Sequence, residues 1–557
     1  MRRVLKIGII GLIAVIVLPL LVVTILYRLA MRNFAEPDIS ISLDDYSVST
    51  WSDSVRICKN NTLVLNSYGL WEAKIEGSAV ERGAVWGSLS KDLLQNQERV
   101  FVEQIHRFVP SERYIRFLLK LIAIFNRNMV DYIPVEYLEE IWAVSLSCSH
   151  EYDGYGTPYA RQLNYHAAHD IGHAMQEYML VGCSSFAAWN EESADGGLIV
   201  GRNFDFYVGD EFAKNKIVLF VRPEKGYNYV SVTWPGMMGV VSGMNERGLT
   251  VTINAAKGAI PTSSAMPVSL LARHILQYAQ NIREAYDMAE SCQTFVSESL
   301  LIGSAVDGQA AIIEKTPKET RLYSSGLSHV ICTNHYQSDG FADDRYNAEN
   351  MAESDSKYRY DRLSELIGRN IPLTPEKSVD ILRNRLGLHD ADIGLTNEKS
   401  VNQFIAHHAV VFEPERLKIW VSTEPWQCGV FLCYDMNEVF ADDKPRRVSM
   451  AVADEQIPAD TLFFTEDSAR LGTFRRQTVE LQNAIGRHLV LSEDFIERYI
   501  GTNPNLYAVY DWAGDYALQA GERNRAVACW KTALTKEIPH LSDRRNIMKK
   551  IKRYDQE

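Results

Sequence analysis

The chain has 557 residues, of which 46% are hydrophobic and 23% are charged, and its formal net charge is -13. This length exceeds one ordinary core and predicts several structural units, and the apolar fraction is high enough to pack them. The negative charge, with no Lys/Arg-rich tract, disfavours binding to nucleic acid or to anionic lipid surfaces.

Residues 1–35 predict a membrane anchor. Arg2, Arg3 and Lys6 precede an uncharged apolar run at 7–27. The run is long enough to cross a bilayer, and the basic residues favour a cytoplasmic N-terminus. We therefore expect a single pass through the inner or plasma membrane, with the rest of the chain on the periplasmic or other extracytoplasmic side. The alternative is a long signal peptide that is cleaved near RLAMRN.

The pattern changes twice in the next four hundred residues. Residues 36–72 have the composition of a polar, irregular stem, and 73–182 predict helices, because apolar residues recur there at three- and four-residue spacing. From 183 to 440, short alternating runs such as GLIVGRNFDF and KIVLFVRP predict strands, and longer amphipathic segments such as PVSLLARHILQYAQNIREAYDMAESC predict helices between them. Strands, helices and strands in this order predict an α+β fold of antiparallel sheets with helices packed outside.

Residues 441–557 predict a helical tail. Within it, one segment has small residues and a tryptophan at the spacings of a tetratricopeptide repeat: Gly514, Gly521, Ala526, Trp530 and Ala533. Such a repeat needs neighbours to bury its faces, so we expect it to pack on the preceding helices. The eight cysteines of the whole chain form no C-x-x-C pair, which disfavours a zinc ribbon or a thioredoxin-like site.

Cys183, in the segment GCSSF, is the candidate nucleophile. A thiol must become a thiolate to attack, and Arg202, one hairpin away in GRNFDF, favours the thiolate. The Cys183 strand holds no histidine to act as a base. Cleavage of the Gly182–Cys183 bond would free an α-amine with a pKa of about 7.7–8.0, which suits a general base at neutral pH. Asp205 is then the candidate acceptor for the N–H of that amine.

The run from 183 to about 435 resembles the N-terminal-nucleophile (Ntn) hydrolases. It is most similar to the acyltransferases typified by acyl-coenzyme A:6-aminopenicillanic acid acyltransferase and to the choloylglycine hydrolases. The resemblance rests on the order and spacing of GCSSF, GRNFDF, SGMNERGLTVTINAA, DGQAAIIEKTP, ICTNHY and SKYRYDRL. It implies a four-layer αββα sandwich, a prosegment at 73–182 and no cofactor. Residues 1–72 and the tail beyond about 440 fall outside the resemblance.

The resemblance also implies which residues form the site. Cys183 matches the nucleophile that self-cleavage after Gly182 exposes, and Arg202 and Asp205 match the pair that flanks it. Asn254 matches the asparagine that helps to hold the tetrahedral oxyanion.

Two further positions complete the implied site. Asn334 matches a second polar contact beside the substrate carbonyl, and Arg359 matches the late arginine that braces the site. The alignment is loose at that arginine, so Arg362 is the competing choice.

These residues predict a self-processing enzyme that hydrolyses a linear carbon–nitrogen amide or transfers its acyl group. An N-acyl amino acid, an acylated amine or a conjugated bile acid would fit, and the anchor favours an amphiphilic substrate. We expect the prosegment to stay associated with the catalytic chain after cleavage.

Two other classes of function remain open. His166, His169 and His173, in HAAHDIGH, form one stripe of a predicted helix and would make a metal-dependent hydrolase, although the glutamate of H-E-x-x-H is absent. His407 and His408 are predicted to point to opposite faces of a strand, which excludes joint chelation. A non-catalytic, membrane-anchored scaffold with a partner-binding tail is the other alternative.

Overall fold

The computed structural model describes residues 18–174, 180–441 and 444–555. These residues form eighteen strands: β1 Ser49–Ser52, β2 Val55–Cys58, β3 Asn61–Leu65, β4 Trp71–Gly77, β5 Leu180–Ala188, β6 Ile199–Tyr207, β7 Ile217–Pro223, β8 Tyr229–Thr233, β9 Ser242–Asn245, β10 Leu249–Ala255, β11 Glu298–Ser304, β12 Gln309–Lys315, β13 Thr320–Tyr323, β14 His329–Cys332, β15 His408–Glu413, β16 Lys418–Ser422, β17 Phe431–Asp435 and β18 Val452–Ile457.

The same part of the chain forms eighteen α-helices: α1 Leu18–Asn33, α2 Ala79–Leu89, α3 Lys91–Phe108, α4 Glu112–Phe125, α5 Val135–Ser145, α6 Pro158–Ala174, α7 Asp210–Ala213, α8 Val268–Tyr278, α9 Ile282–Ser291, α10 Arg345–Glu353, α11 Ser356–Asn370, α12 Pro375–Leu382, α13 Met436–Ala441, α14 Ser468–Arg487, α15 Phe495–Thr502, α16 Tyr507–Gln519, α17 Arg523–Ala533 and α18 Leu541–Tyr554.

Two sheets pack face to face, and the predicted α+β class is confirmed. Sheet A has the order β1-β2-β3-β4-β7-β8-β9-β10-β11-β12-β13, and sheet B the order β14-β5-β6-β15-β16-β17-β18. Val200 and Val410 of sheet B lie in one apolar cluster with Val218 and Phe220 of sheet A. Helices α8 and α9 pack on the sheet A side, and α11 and α12 cover the outer face of sheet B. The layers therefore follow the order helix, sheet, sheet, helix.

Residues 49–72 are not an irregular stem. They form β1 to β3 and the start of β4, and β4 pairs in parallel with β7 along its whole length. Leu63, Ala73 and Ile75 are fully buried in these strands. The strands are short and interrupted by polar turns, so an alternating pattern is hard to see in them. The N-terminal segment therefore extends sheet A.

No helix in residues 18–174, 180–441 or 444–555 is both long and apolar enough to span a bilayer. Helix α1 covers the second half of the apolar run and has 16 residues. Residues 7–17, the first half of the predicted anchor, lie outside the described residues.

Two other segments differ from the structure that the sequence predicted, and in a third the structure explains the predicted repeat. The helix predicted at 267–292 is two helices, because the Asn281 side chain accepts from the Glu284 N–H and starts α9. The region 441–557, predicted to be helical, also contains the strand β18, which joins sheet B. In the tail, α16 and α17 pack together because Gly514 has no side chain: a Cβ there would lie 2.4 Å from Trp530 Nε1.

A buried ion triad joins helices α2 and α5, which precede Cys183, to α8, which follows it. Glu140 of α5 accepts from Arg82 of α2 at 2.8 Å and from Arg273 of α8 at 2.5 Å, and all three side chains are buried. Burial alone would raise the pKa of Glu140, but the guanidinium groups of Arg273 and Arg82 lower it. The carboxylate therefore stays charged in the interior, where it binds one arginine from each side of Cys183 in the sequence.

We predict that Arg273→Met destabilises the chain by about 3–5 kcal/mol, because it leaves a buried carboxylate short of one partner. Urea denaturation of the uncleaved Cys183→Ala chain measures the loss. Arg369→Met is the control, since Arg369 forms only partly exposed pairs with Glu365 and Asp390 and should change stability by about 1 kcal/mol or less. Equal losses in the two variants would contradict the prediction.

Candidate active site

Cys183 lies inside a continuous strand, β5, next to the edge strand β14 of sheet B. Strand β5 begins at Leu180, before the predicted cleavage point, and pairs antiparallel with β6, so that Cys183 faces Phe204 and Gly182 faces Asp205. Strand β14 pairs on the other side of β5. Cys183 is 1% exposed. At Cys183 itself only β6 pairs with the backbone, because β14 pairs with residues 185–188 of β5.

Two side chains hold the backbone of Cys183. The Cys183 N–H donates to Asn334 Oδ1 at 3.1 Å, and Arg359 Nη1 donates to the Cys183 carbonyl oxygen at 2.7 Å. Arg359 Nη2 also donates to Asn334 Oδ1 at 2.6 Å, and Asp355 holds the Arg359 Nε at 2.6 Å. The nitrogen that cleavage would convert into an amine thus already has an acceptor, and that acceptor is Asn334.

Arg359, and not Arg362, reaches the site. Arg362 lies on the same helix, α11, but its guanidinium donates to Asn384, Glu365 and Asp390 at 2.6–3.2 Å. Asp355 precedes Arg359 by four residues, so the two side chains meet on one face of the helix.

Arg202 approaches the sulfur from the space between the sheets. Its Nη2 lies 3.6 Å from Cys183 Sγ and also donates to the Ile253 carbonyl, while Nη1 donates to the Val241 carbonyl at 2.8 Å and to Ser242 Oγ. Burial raises the pKa of the Cys183 thiol, and the Arg202 guanidinium opposes that rise. In the uncleaved chain the sulfur is therefore a buried thiol with one cation beside it.

Asp205 lies on the opposite face of β6 from Arg202. Strand side chains alternate, so residues three apart point to opposite faces. Asp205 points with Gly182 toward α11, and both of its carboxylate oxygens are buried with no hydrogen-bond partner among the described residues. Burial raises the pKa of Asp205 to about 8, against the attraction of Arg359. The expected pair thus flanks Cys183 from two sides and is not itself an ion pair.

Asn254 is held between the two sheets. Its Nδ2 donates to the Cys332 carbonyl at 3.0 Å, and its Oδ1 accepts from Ser185 Oγ at 2.9 Å. These contacts fix the orientation of the amide. The second N–H of Nδ2 makes no hydrogen bond to the described residues, so one donor remains for a substrate oxygen.

A row of polar groups continues from Arg202 into the core. Ser242 Oγ lies 2.8 Å from His408 Nε2, and His408 Nδ1 lies 2.9 Å from His407 Nδ1. The two imidazoles therefore do not point to opposite faces, because β15 begins only at His408. Burial lowers the pKa of His407 to about 3 and that of His408 well below its usual value, so both rings are neutral.

In the alternative metal site, the first predicted ligand, His166, uses both ring nitrogens in hydrogen bonds within the fold. His166 Nδ1 donates to the Gln162 carbonyl at 2.8 Å, and Nε2 accepts from the Met238 N–H at 2.9 Å. Burial lowers the pKa of His166 to about 4. The side chains of His169 and His173 lie outside the described part of the chain, and the described residues contain no group of three or more ligands suited to a metal ion.

Three residues that contact the site were not predicted from the sequence. Asp355 could have been found from its i, i+4 spacing to Arg359. Ser185 lies two residues after Cys183 and so shares its face. Ser242 has no local signal, because it meets Arg202 only through the packing of sheet A on sheet B.

We predict that Asp205 contributes stability to the uncleaved Cys183→Ala chain that is lost as pH rises from about 4 to 8, and that Asp205→Asn removes this contribution to the pH slope. Asp205 is ionised above about 3.9 in the unfolded chain but stays protonated up to about 8 when folded. The unfolded state therefore binds fewer protons in this window, which costs up to about 1.4 kcal/mol per pH unit. Urea denaturation at several pH values checks this, and identical slopes would contradict it.

The middle of the chain matches a family model. Residues 189–425 match the model described as acyl-coenzyme A:6-aminopenicillanic acid acyl-transferase. An uncharacterized protein of Archaeoglobus fulgidus is 24% identical over 400 residues, which cover 64% of this chain and 65% of that protein. Protein dcd1B of Dictyostelium discoideum is 24% identical over 270 residues, which cover 44% of this chain and 50% of that protein. Each alignment spans less than two thirds of the relative.

Two solved structures are also similar. The N-acylethanolamine-hydrolyzing acid amidase ortholog of Caenorhabditis elegans is 17% identical, with 42% of this chain and 93% of that chain covered and a TM-score of 0.32. A mutant conjugated bile acid hydrolase of Clostridium perfringens is 13% identical, with 46% and 93% covered and a TM-score of 0.30. Over residues 189–425, the family model confirms the resemblance to the acyl-coenzyme A:6-aminopenicillanic acid acyl-transferases that the motifs predicted.

Proposed function

We propose that this protein is a self-processing cysteine Ntn hydrolase that cleaves linear amides or transfers their acyl group. The contacts of Cys183 carry the proposal. Its nitrogen is held by Asn334 at 3.1 Å, its carbonyl oxygen by Arg359 at 2.7 Å, and its sulfur faces Arg202 at 3.6 Å. The nitrogen and the sulfur of Cys183 thus contact separate groups. A nucleophile that supplies its own base requires such an arrangement.

Self-cleavage would expose that base. Cys183 Sγ adds to the carbonyl carbon of Gly182, and the peptide nitrogen leaves with the proton that the thiol gave up, so that a thioester replaces the amide. Water then hydrolyses the thioester. The products are a carboxylate on Gly182 and a free thiol and α-amine on Cys183, and no atom changes oxidation state.

The mature site would use the same groups on an external amide. The α-amine takes the thiol proton, and Sγ attacks the substrate carbonyl. The free N–H of Asn254 stabilises the oxyanion, a contribution of about 3–4 kcal/mol to the barrier. The ammonium, held by Asn334 and facing the Asp205 side of β6, protonates the leaving amine. Water resolves the acyl thioester in hydrolysis, and a second amine resolves it in acyl transfer.

We predict that the purified wild-type protein contains a chain that begins Cys-Ser-Ser-Phe. Cys183→Ala should abolish this chain, because it removes the only thiol next to the Gly182 carbonyl. Cys332→Ala is the matched control: Cys332 is equally buried, on the adjacent strand β14, but its thiol is not at the junction. Denaturing gels with N-terminal sequencing decide the matter, and a wild-type protein that hydrolyses amides while it remains one chain would refute the proposal.

A cavity near the site supports an apolar acyl group in the substrate. It has a volume of about 50 Å³ and lies between α3 and α6 of the prosegment and the catalytic chain. The large apolar side chains of its wall include Leu94, Phe101, Phe206, Phe212, Trp234 and Met237. Phe204, opposite Cys183 in the ladder, stacks on Phe206 and Trp234 with centroids 5.6 and 6.4 Å away. This aromatic stack connects the nucleophile to the cavity.

We predict that Trp234→Ala shifts substrate preference toward longer acyl chains. Removal of the indole enlarges a small cavity, and each added methylene that is buried contributes about 0.8 kcal/mol, so two methylenes change relative kcat/KM by about tenfold. A series of N-acyl amides of increasing chain length measures the shift. Trp420→Phe is the control, because Trp420 lies on the outer face of sheet B, and an unchanged series in Trp234→Ala would oppose this assignment of the cavity.

We also propose that the N-terminal apolar run holds the enzyme at a membrane, with its catalytic unit on the extracytoplasmic side. The uncharged residues 7–27 and the exposed leucines at 18, 20, 21, 26 and 29 of α1 support this placement. Amphiphilic amides concentrate at bilayers, so such a location would bring substrate to the site.

A further inference from the structure

A long segment without regular structure lies directly against the cleavage junction. Residues 392–404, which we call the junction loop, contain neither helix nor strand. The loop is nevertheless buried: Leu395, Asn397, Val401 and Gln403 are each 3% exposed or less. Most loops of this length lie at the surface, so a buried one needs partners for its backbone groups.

The inner side of the junction loop contacts β5 and β6. A Cβ placed on Gly182 would lie 3.0 Å from Gln403 Nε2, which donates to the Glu398 carbonyl at 3.0 Å. Asn203 Nδ2 donates to the Val401 carbonyl at 3.0 Å. Gln403 therefore fills the space in front of the glycine whose carbonyl would be attacked, and leaves it no room to move outward.

The outer side of the junction loop is fastened by the C-terminal helices. Asn503 makes a two-point contact with Leu395: its Oδ1 accepts from the backbone N–H at 3.0 Å and its Nδ2 donates to the carbonyl at 2.9 Å. Arg475 Nη2 donates to the Phe404 carbonyl at 2.7 Å. Phe404 has a φ of 57°, in the left-handed region that only surrounding contacts impose on such a residue.

Three more contacts join the middle of the loop to the tail. The Asn397 side chain donates to the Glu537 carbonyl at 3.0 Å, and Lys399 pairs with the Glu537 carboxylate at 2.6 Å. His540 pairs with Glu398 at 2.5 Å. Although burial opposes it, Glu398 raises the pKa of His540 to about 9, so the imidazole is protonated at neutral pH. Glu398 is also the residue whose carbonyl holds Gln403.

We propose that the C-terminal helices, residues 468–554, are a clamp that holds the junction loop against Gly182, and that Gln403 is a positioning residue for self-cleavage. The inference rests on the proposed function, because it concerns the Gly182–Cys183 bond. Attack by Cys183 Sγ on the preceding carbonyl requires a near-attack geometry of the junction. Ordering the loop costs conformational entropy, and the contacts with the tail offset that cost.

The clamp is tested by the rate at which newly made full-length chain yields the fragment that begins with Cys183. Gln403→Ala should slow cleavage by about 100-fold, the cost of a misplacement of about 1 Å. Asn503→Ala should slow it in the same direction by loosening the loop. Lys550→Ala is the control, since Lys550 pairs only within the tail, with Asp511 and Asp515 at 2.8 Å, and should cleave at the wild-type rate.

A double variant separates positioning from a general loss of stability. Gly182→Ala should slow cleavage because its methyl group meets Gln403, and Gly182→Ala combined with Gln403→Ala should cleave faster than the product of the two single effects. Non-additivity of this kind reports direct contact, whereas independent destabilisation gives additive effects. Wild-type rates in Gln403→Ala and Asn503→Ala, or additive effects in the double variant, overturn the clamp alone. A wild-type chain that stays intact overturns the proposed function and the clamp together.

Discussion

The hydrogen bond between the Cys183 N–H and Asn334 Oδ1 is the contact on which the whole site depends. Arg359 donates to the same Asn334 oxygen and to the Cys183 carbonyl, so one guanidinium fixes both the residue and its acceptor. Asp355 in turn fixes Arg359. The arrangement joins β5, the end of β14 and α11 at a single point, and it places the nitrogen of Cys183 in a defined position before any bond is cut.

The alternation of side chains in β5 and β6 divides the site into two compartments. On the inner face, between the sheets, lie the Cys183 sulfur, Arg202 and the aromatic stack that leads to the cavity. On the outer face, toward α11 and the junction loop, lie Gly182 and Asp205. The thiol and the residue that it would attack therefore have separate surroundings. The inner compartment would serve the substrate, and the outer one would serve the processing of the chain.

Much of this arrangement could be predicted from sequence, and the missing part has a physical reason. Cys183, Arg202, Asn334 and Arg359 lie in short motifs whose order carries the family resemblance, so their convergence was expected. The relation of Arg202 to Asp205 was harder to predict. Residues three apart lie close together on a helix, but their side chains point to opposite faces of a strand. The strands in 49–77 are too short to show alternation.

Long-range contacts made by residues outside these motifs could not be predicted. Gln403 reaches Gly182 through a loop with no periodic pattern, and that loop is ordered by residues about one hundred positions later, such as Asn503. Ser242 meets Arg202 only because two sheets pack together. The sequence of the tail predicted its helices and a tetratricopeptide-like spacing that includes Gly514 and Trp530, but nothing in it indicated that the tail contacts the junction loop.

The central claim is that Cys183 acts as a chain-leading residue whose own nitrogen serves as the base. The most direct measurement is a crystal structure of active enzyme trapped with a thiol-directed acyl electrophile. The account predicts an acyl group on Cys183 Sγ, a free α-amine within hydrogen-bond distance of Asn334 Oδ1, and no density that links Gly182 to Cys183. An acylated Cys183 within an unbroken chain would contradict it.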